Sequence, residues 1–89
     1  MIVRIAGEGR WRIADGRARE LLAEDLRLLR AVDDECEVDY RYQLLALCRY
    51  VRQHGQRLPS VARGADLTIP SPEMTLAETV ELLAERSGL

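Results

Sequence analysis

Side chains of the types that most often do catalytic or metal chemistry are sparse in this sequence. It contains one histidine, His54, and two cysteines, Cys36 and Cys48, whose spacing matches no zinc-ligand pattern. Cys36 lies in a run of acidic residues, whose charges disfavour the thiolate that a nucleophilic cysteine needs. Cys48 falls on the apolar flank of a predicted helix, where cysteine acts as a small core residue. We therefore predict no catalytic, cofactor-binding or metal-binding residues.

Two short motifs invite a ligand-site reading, and a structural interpretation fits each better. The acidic run from Asp33 to Asp39 lacks the alternation and central glycine of a calcium loop, so we interpret it as a solvated turn and helix start. Gly7-Glu8-Gly9 is too short for a phosphate-binding loop and precedes a strand pattern rather than a helix. A small enzyme that uses His54 or the acidic run remains the weakest of three functional hypotheses.

Length and composition indicate one small domain that does not bind nucleic acid in general. The chain has 89 residues and a formal net charge of -2, whereas general nucleic-acid binders are usually basic. All 13 basic residues are arginine. No apolar run approaches the ~20 residues that a membrane span requires, and two cysteines do not make a disulfide framework. These features predict a cytoplasmic protein.

The N-terminal segment 1–14 predicts a β-hairpin with two chemically different faces. With Gly7-Glu8-Gly9 as its loop, Arg4 lies opposite Arg12, and a one-residue slip would mix the faces. The apolar face then comprises Val3, Ile5, Trp11 and Ile13, and the other, the arginine face, comprises Arg4, Arg10 and Arg12. Because like charges opposed across a sheet are destabilising, we expect a carboxylate from this chain or from a partner to meet the arginine face.

Two amphipathic helices, predicted at 17–33 and 35–54, form an antiparallel αα-hairpin that Gly55 ends. Asp34 and Glu37 resemble a capping box at the second helix. The first apolar stripe comprises Ala18, Leu21, Leu22, Leu26 and Leu29, and the second comprises Tyr40, Leu44, Leu47 and Val51. Leu28, Tyr42 and Tyr50 fall outside these stripes. Since exposed tyrosine is typical of interfaces, we predict these three residues as partner contacts.

The C-terminal part, 65–89, predicts a short strand and a last helix. Asp66 to Ile69 alternates before Pro70, Thr75 and Glu78 form a second capping box, and Ser87-Gly88 closes the helix. Residues 56–64 are predicted as loop. The predicted fold is therefore α+β, a single domain over 1–89 in which the hairpin, with a short third strand, packs on the αα-hairpin and the C-terminal helix.

Three segments of the sequence resemble the PspA-associated proteins, the PspAA family. The opening MIVRIAGEGRWRIA is similar to that family's MIVRI-x-GEG start, with Trp11 where tyrosine is more usual. VRQHGQRLP at 51–59 and ADLTIPSPEMTLAE at 65–78 also resemble the family pattern, in the same order. The resemblance covers nearly the whole chain.

The resemblance implies a non-enzymatic accessory protein of the phage-shock, or envelope-stress, system. Its implied partner is PspA, a coiled-coil protein that binds and remodels membranes, so contact with the inner membrane would be indirect. The first hypothesis is therefore an interaction module for a PspA-like protein, with the arginine face and Leu28, Tyr42 or Tyr50 as contacts. A nucleic-acid-binding or regulatory module that uses the hairpin as a β-ribbon is the alternative. Exposed aromatic residues are also compatible with a homodimer.

Overall fold

The computed structural model describes residues 1–86, which form a four-stranded mixed sheet and three α-helices. The strands are β1 (Ile2–Ile5), β2 (Gly9–Arg12), β3 (Gln56–Arg57) and β4 (Leu67–Ile69), and the helices are α1 (Ala18–Asp33), α2 (Glu37–His54) and α3 (Leu76–Arg86). A short 3₁₀ helix, Asp15–Arg17, leads into α1. The α+β prediction is confirmed. The predicted stop at Ser87-Gly88 lies outside the described residues.

The hairpin has the predicted faces but a different register. Arg4 lies opposite Arg10, and Arg12 lies opposite Ile2, so each partner is shifted by two residues from the prediction. The turn is Ala6 to Glu8, because Gly9 already pairs with Ile5. Gly7 takes the positive φ, 78°, that the turn needs. A two-residue shift preserves the side of every side chain, so the apolar face remains correct.

Two further strands flank the hairpin, giving the sheet order β3-β2-β1-β4. The predicted third strand is β4, which pairs parallel to β1. The prediction of loop at 56–64 is wrong at its start, because Gln56 and Arg57 pair antiparallel to β2. Two residues are too short for a recognisable alternation, so β3 left no periodic signal in the sequence.

The buried stripe of α1 differs from the predicted one. Leu21, Leu28 and Val32 are buried at helical spacing, and Asp25 occupies the remaining position of that stripe. Leu22 and Leu26, predicted as core, are about half exposed, at 48% and 47%. A buried acidic residue interrupts the apolar pattern, and the two surface leucines supply a neighbouring pattern that is easier to recognise. The prediction that Leu28 lies off the stripe is therefore wrong.

Helix α2 buries the predicted stripe, from Tyr40 to Val51. The capping box predicted from Asp34 and Glu37 is wrong, because α2 begins after Cys36 with no side-chain cap. Asp34 instead ends α1, and Glu35 reverses the chain with a positive φ of 52°. The second capping box is confirmed at α3, where the Glu78 amide donates to the Thr75 hydroxyl and the Thr75 amide donates to the Glu78 carboxylate.

One hydrophobic core lies between the sheet and the helices. The apolar hairpin face supplies the buried side chains of Val3, Ile5, Trp11 and Ile13, and β4 adds Leu67 and Ile69. The buried stripes of α1 and α2 pack against them, and Leu76 and Leu83 of α3 lie partly buried at the edge. Because these elements bury one face each, their opposite faces remain exposed, among them the outer face of the sheet and the outer side of α2.

Candidate functional site

The six residues predicted to contact a partner do not form one surface. The arginine face lies on the outer side of the sheet. Tyr42 lies on α2, two residues and ~200° around the helix from the buried Tyr40, so it points away from the sheet. The remaining two, Leu28 and Tyr50, face the interior or a neighbouring helix. The structure therefore offers two separate surfaces, each with different chemistry.

The arginine face is only partly available. Arg4 and Arg10 lie directly opposite each other, and Arg10 Nε donates to the Gly64 carbonyl at 2.8 Å. This hydrogen bond turns one of the two facing guanidinium groups towards the loop after β3. No carboxylate of residues 1–84, whose side chains the structure describes, forms an ion pair with Arg4, Arg10 or Arg12. A carboxylate from this chain, one of the two sources we expected, is therefore not found in the described part.

Leu28 and Tyr50 are unsuited to be primary contacts. Leu28 is 2% exposed and belongs to the core, which corrects its prediction as a partner contact. The Tyr50 hydroxyl donates to the Glu20 carboxylate at 2.8 Å, and its ring lies 4.6 Å from that of His54. Tyr50 therefore joins α2 to α1. A helical wheel drawn from sequence places it off the stripe but does not show the second helix beside it.

An apolar groove, defined here by Val38, Tyr42, Leu45 and Leu76, runs along the outer side of α2 beside the start of α3. Val38 is 79% exposed and Tyr42 is 70% exposed, which is high for apolar side chains on a helix. The groove encloses about 630 Å³ and is also lined by Glu37 and Arg41. Of the residues predicted as partner contacts, only Tyr42 lies in it. The i, i+4, i+7 spacing of 38, 42 and 45 was the available sequence signal.

Hydrogen bonds between α2 and the segment before α3 hold the wall of the groove in place. The buried Tyr40 hydroxyl donates to the Met74 carbonyl at 2.9 Å and also contacts the Thr79 hydroxyl. Burial raises the pKa of Tyr40, so the phenol stays protonated and keeps donating. Arg41 donates to the carbonyls of Pro72 and Met74. The groove is therefore a preformed feature with a fixed wall.

The Gly7-Glu8-Gly9 turn contacts the C-terminal end of α2. The Glu8 carboxylate pairs with Arg52, and Arg57 donates to the Glu8 carbonyl at 2.7 Å. The Arg57 guanidinium also lies 5.0 Å from the centre of the Trp11 ring, within cation–π range. Glu8, Trp11, Arg52 and Arg57 line a second open cavity of about 620 Å³. Their mutual contacts give the turn a structural role in joining the hairpin to α2.

The two cysteines lie in different surroundings. Burial raises the pKa of the Cys48 thiol to about 11, so this thiol is protonated at neutral pH. Cys36 is half buried at the start of α2, and both cysteines are unpaired. No three histidine, cysteine or acidic side chains within residues 1–84 lie close enough together to hold a metal ion. Trp11 is buried in the core, so it is not exposed for a β-ribbon to use.

Comparisons with known proteins give one match, which covers the whole chain. None of the helices in the described part is long and apolar enough to cross a membrane. No curated protein and no solved structure matches the chain. The model of the PspAA family, described as PspA-Associated protein, matches residues 1–89. The chain therefore belongs to the PspAA family, whose description implies association with PspA in a phage-shock system.

Proposed function

We propose that this chain is a non-enzymatic accessory protein that binds a PspA-like coiled-coil protein, and that the apolar groove is the main contact surface. Family membership supports the partner, and the exposed groove supports the location. We further propose that it acts in the cytoplasm and reaches the inner membrane only through this partner. The observation that carries the proposal is the exposure of Val38 and Tyr42 on a helix that has a buried stripe of its own.

A groove of this shape suits a helical partner. Val38, Tyr42 and Leu45 recur at helical spacing, so a second helix laid along α2 would contact all three. Full burial of each such side chain contributes about 1.5–3 kcal/mol, and tyrosine is among the residues that most often dominate interface energies. Coiled-coil proteins present apolar helical stripes, although those stripes are normally paired with each other. An unpaired segment of such a helix is the expected ligand.

The arginine face supports a secondary, electrostatic contact. Arg4, Arg10 and Arg12 have no carboxylate partner within residues 1–84, and acidic side chains of a partner would relieve their repulsion. Exposed ion pairs contribute about 0–1 kcal/mol each and weaken with salt. This face therefore modulates affinity and association rate, whereas the apolar groove supplies most of the binding free energy.

Titration of purified PspA into this protein tests the proposal, with affinity measured by calorimetry. Val38 and Val61 are a matched pair, because both are 79% exposed and only Val38 lies in the groove. We expect Tyr42→Ala to weaken binding about 10-fold or more, Val38→Ala to weaken it a few-fold and Val61→Ala to leave it unchanged. Equal effects of Val38→Ala and Val61→Ala on affinity would show that the groove is not the contact surface. A wild-type protein that does not bind PspA would overturn the proposed function itself.

A second pair of variants tests the arginine face. Arg4 and Arg12 changed together to Glu reverse two charges on that face. Arg19 and Arg30, both exposed on α1, changed together to Glu provide the same change of net charge elsewhere. We expect only the double variant at Arg4 and Arg12 to weaken binding. The difference in affinity between the two double variants should shrink as salt is added. Identical affinities for the two double variants would exclude the arginine face as a contact.

A further inference from the structure

The charges beside the groove are segregated along α2. Glu37 lines the groove at the N-terminal end of the helix, and Glu35 is exposed in the turn before it. Arg49 is exposed at the other end, and it continues the stripe of Val38, Tyr42 and Leu45 by one more helical turn. From Glu37 to Arg49 the helix rises ~18 Å. Arg49 does not line the groove itself, so a helix that fills the groove and continues one turn past Leu45 meets acidic groups at one end and a basic group at the other.

Arg49 is available for such a contact because it makes no ion pair or side-chain hydrogen bond with the side chains that the structure describes, those of residues 1–84. The next exposed arginine along the helix, Arg52, is different, because it pairs with Glu8. Arg41, at the middle of the groove, donates to backbone carbonyls of the wall. Of the three, only Arg49 combines exposure on the stripe with an uncommitted guanidinium group.

We infer that the partner segment in the groove is an amphipathic helix with segregated charges that lies antiparallel to α2. Its acidic residues lie in its N-terminal turns beside Arg49, and its basic residues lie in its C-terminal turns beside Glu35 and Glu37. This inference rests on the proposed function and specifies its ligand. The orientation follows from the helix dipole, because acidic N-terminal and basic C-terminal turns are themselves stabilising, and the reverse arrangement is not.

Two synthetic peptides about 20 residues long test the inference. Both carry the same leucine stripe and the same number of Glu and Lys residues. One has Glu in its N-terminal turns and Lys in its C-terminal turns, and the other has the two charges evenly mixed. We expect the segregated peptide to bind the full chain about 5-fold more tightly, the range of one or two exposed ion pairs. Arg49→Glu should remove most of this preference, and Arg19→Glu, a matched reversal on α1, should preserve it.

Paramagnetic labels on the segregated peptide test its direction. A label at the peptide C-terminus should broaden the amide signal of Glu37 more than that of Arg49, and a label at its N-terminus should do the opposite. A reversed pattern, or equal affinity for the two peptides, would overturn the inference. If purified PspA still binds the protein after either of these results, the proposed function stands and only the inference about the helix is lost. A dimer of the chain alone that Tyr42→Ala abolishes would mean that a second copy fills the groove, which would also overturn the inference.

Discussion

Replacement of Gly55 by alanine should destabilise the protein for a purely steric reason. Gly55 ends α2 with a negative φ of -93°, which any residue adopts without strain. A Cβ built there would lie 2.6 Å from the Val51 carbonyl oxygen and 2.9 Å from both Ile13 Cδ1 and Trp11 Cβ. Two of these atoms belong to the backbone or the root of a buried side chain and cannot move aside easily.

The expected cost follows from two opposing terms. Overpacking of a tight site costs about 1–3 kcal/mol, and the reduced freedom of the unfolded chain returns about 0.4–1 kcal/mol. A net loss of about 1–2 kcal/mol remains, and for a domain of this size each kcal/mol lowers Tm by roughly 4–8 °C. Urea denaturation followed by circular dichroism measures the free energy of unfolding, and a thermal scan measures the change in Tm.

The same substitution at two other glycines separates the causes. Gly16 has no neighbour within 4 Å and no positive φ, so Gly16→Ala should be neutral or stabilise by about 0.4–1 kcal/mol. Gly7 is equally open but has a φ of 78°, so Gly7→Ala should cost about 1 kcal/mol from backbone strain alone. A Gly55→Ala protein as stable as the Gly16→Ala protein would refute the close packing of α2 against the hairpin.

Three further predictions concern α3 and the cysteines. Tyr40→Phe removes the hydroxyl bonded to Met74 and Thr79 and should cost about 1–3 kcal/mol in the free energy of unfolding; a loss below about 0.5 kcal/mol would contradict this role. Two hydrogen bonds with Thr75 lower the pKa of Glu78, the larger effect coming from the Thr75 backbone amide and the smaller from its hydroxyl. The stability that these hydrogen bonds contribute is therefore present at neutral pH and is lost as the pH falls through the lowered pKa. Thr75→Ala should cost about 1 kcal/mol and move the pKa of Glu78, followed by NMR, part of the way back up; an unmoved titration would exclude the hydroxyl as a cause. Because burial raises the pKa of Cys48 to about 11, a thiol reagent should modify Cys36 first and Cys48 only on unfolding, and equal rates would show that Cys48 is accessible.

The sequence was informative where one face of an element is purely apolar. The hairpin alternates strictly, so the buried side of Val3, Ile5, Trp11 and Ile13 could be predicted even though the register was not. Register depends on the turn, and both Gly7 and Gly9 can take a positive φ. The sequence therefore allowed two turns with the same length and the same faces, and only the pairing of Ile5 with Gly9 distinguishes them.

The prediction of α1 failed because it assumed that a buried stripe contains only apolar residues. Asp25 is buried between Leu21 and Leu28, and that one position moved the predicted stripe onto Leu22 and Leu26. The groove was missed for a different reason. Its fourth residue, Leu76, belongs to α3 and lies 31 residues beyond Leu45 in the chain. The apolar pattern of a single helix does not show which distant residues lie beside it.

The two glycine-containing motifs behind the family resemblance meet at one junction, and that junction lies away from the groove. Glu8 of the opening motif pairs with Arg52 of the second motif, and Gly55 of the second packs against Trp11 of the first. Residues of these two motifs thus join the hairpin to α2. Since α2 also carries the apolar groove, this junction fixes the helix whose outer side faces a partner. Substitutions at the junction should therefore reduce stability first, whereas substitutions at Val38 or Tyr42 should reduce binding while leaving stability nearly unchanged, because those side chains are exposed.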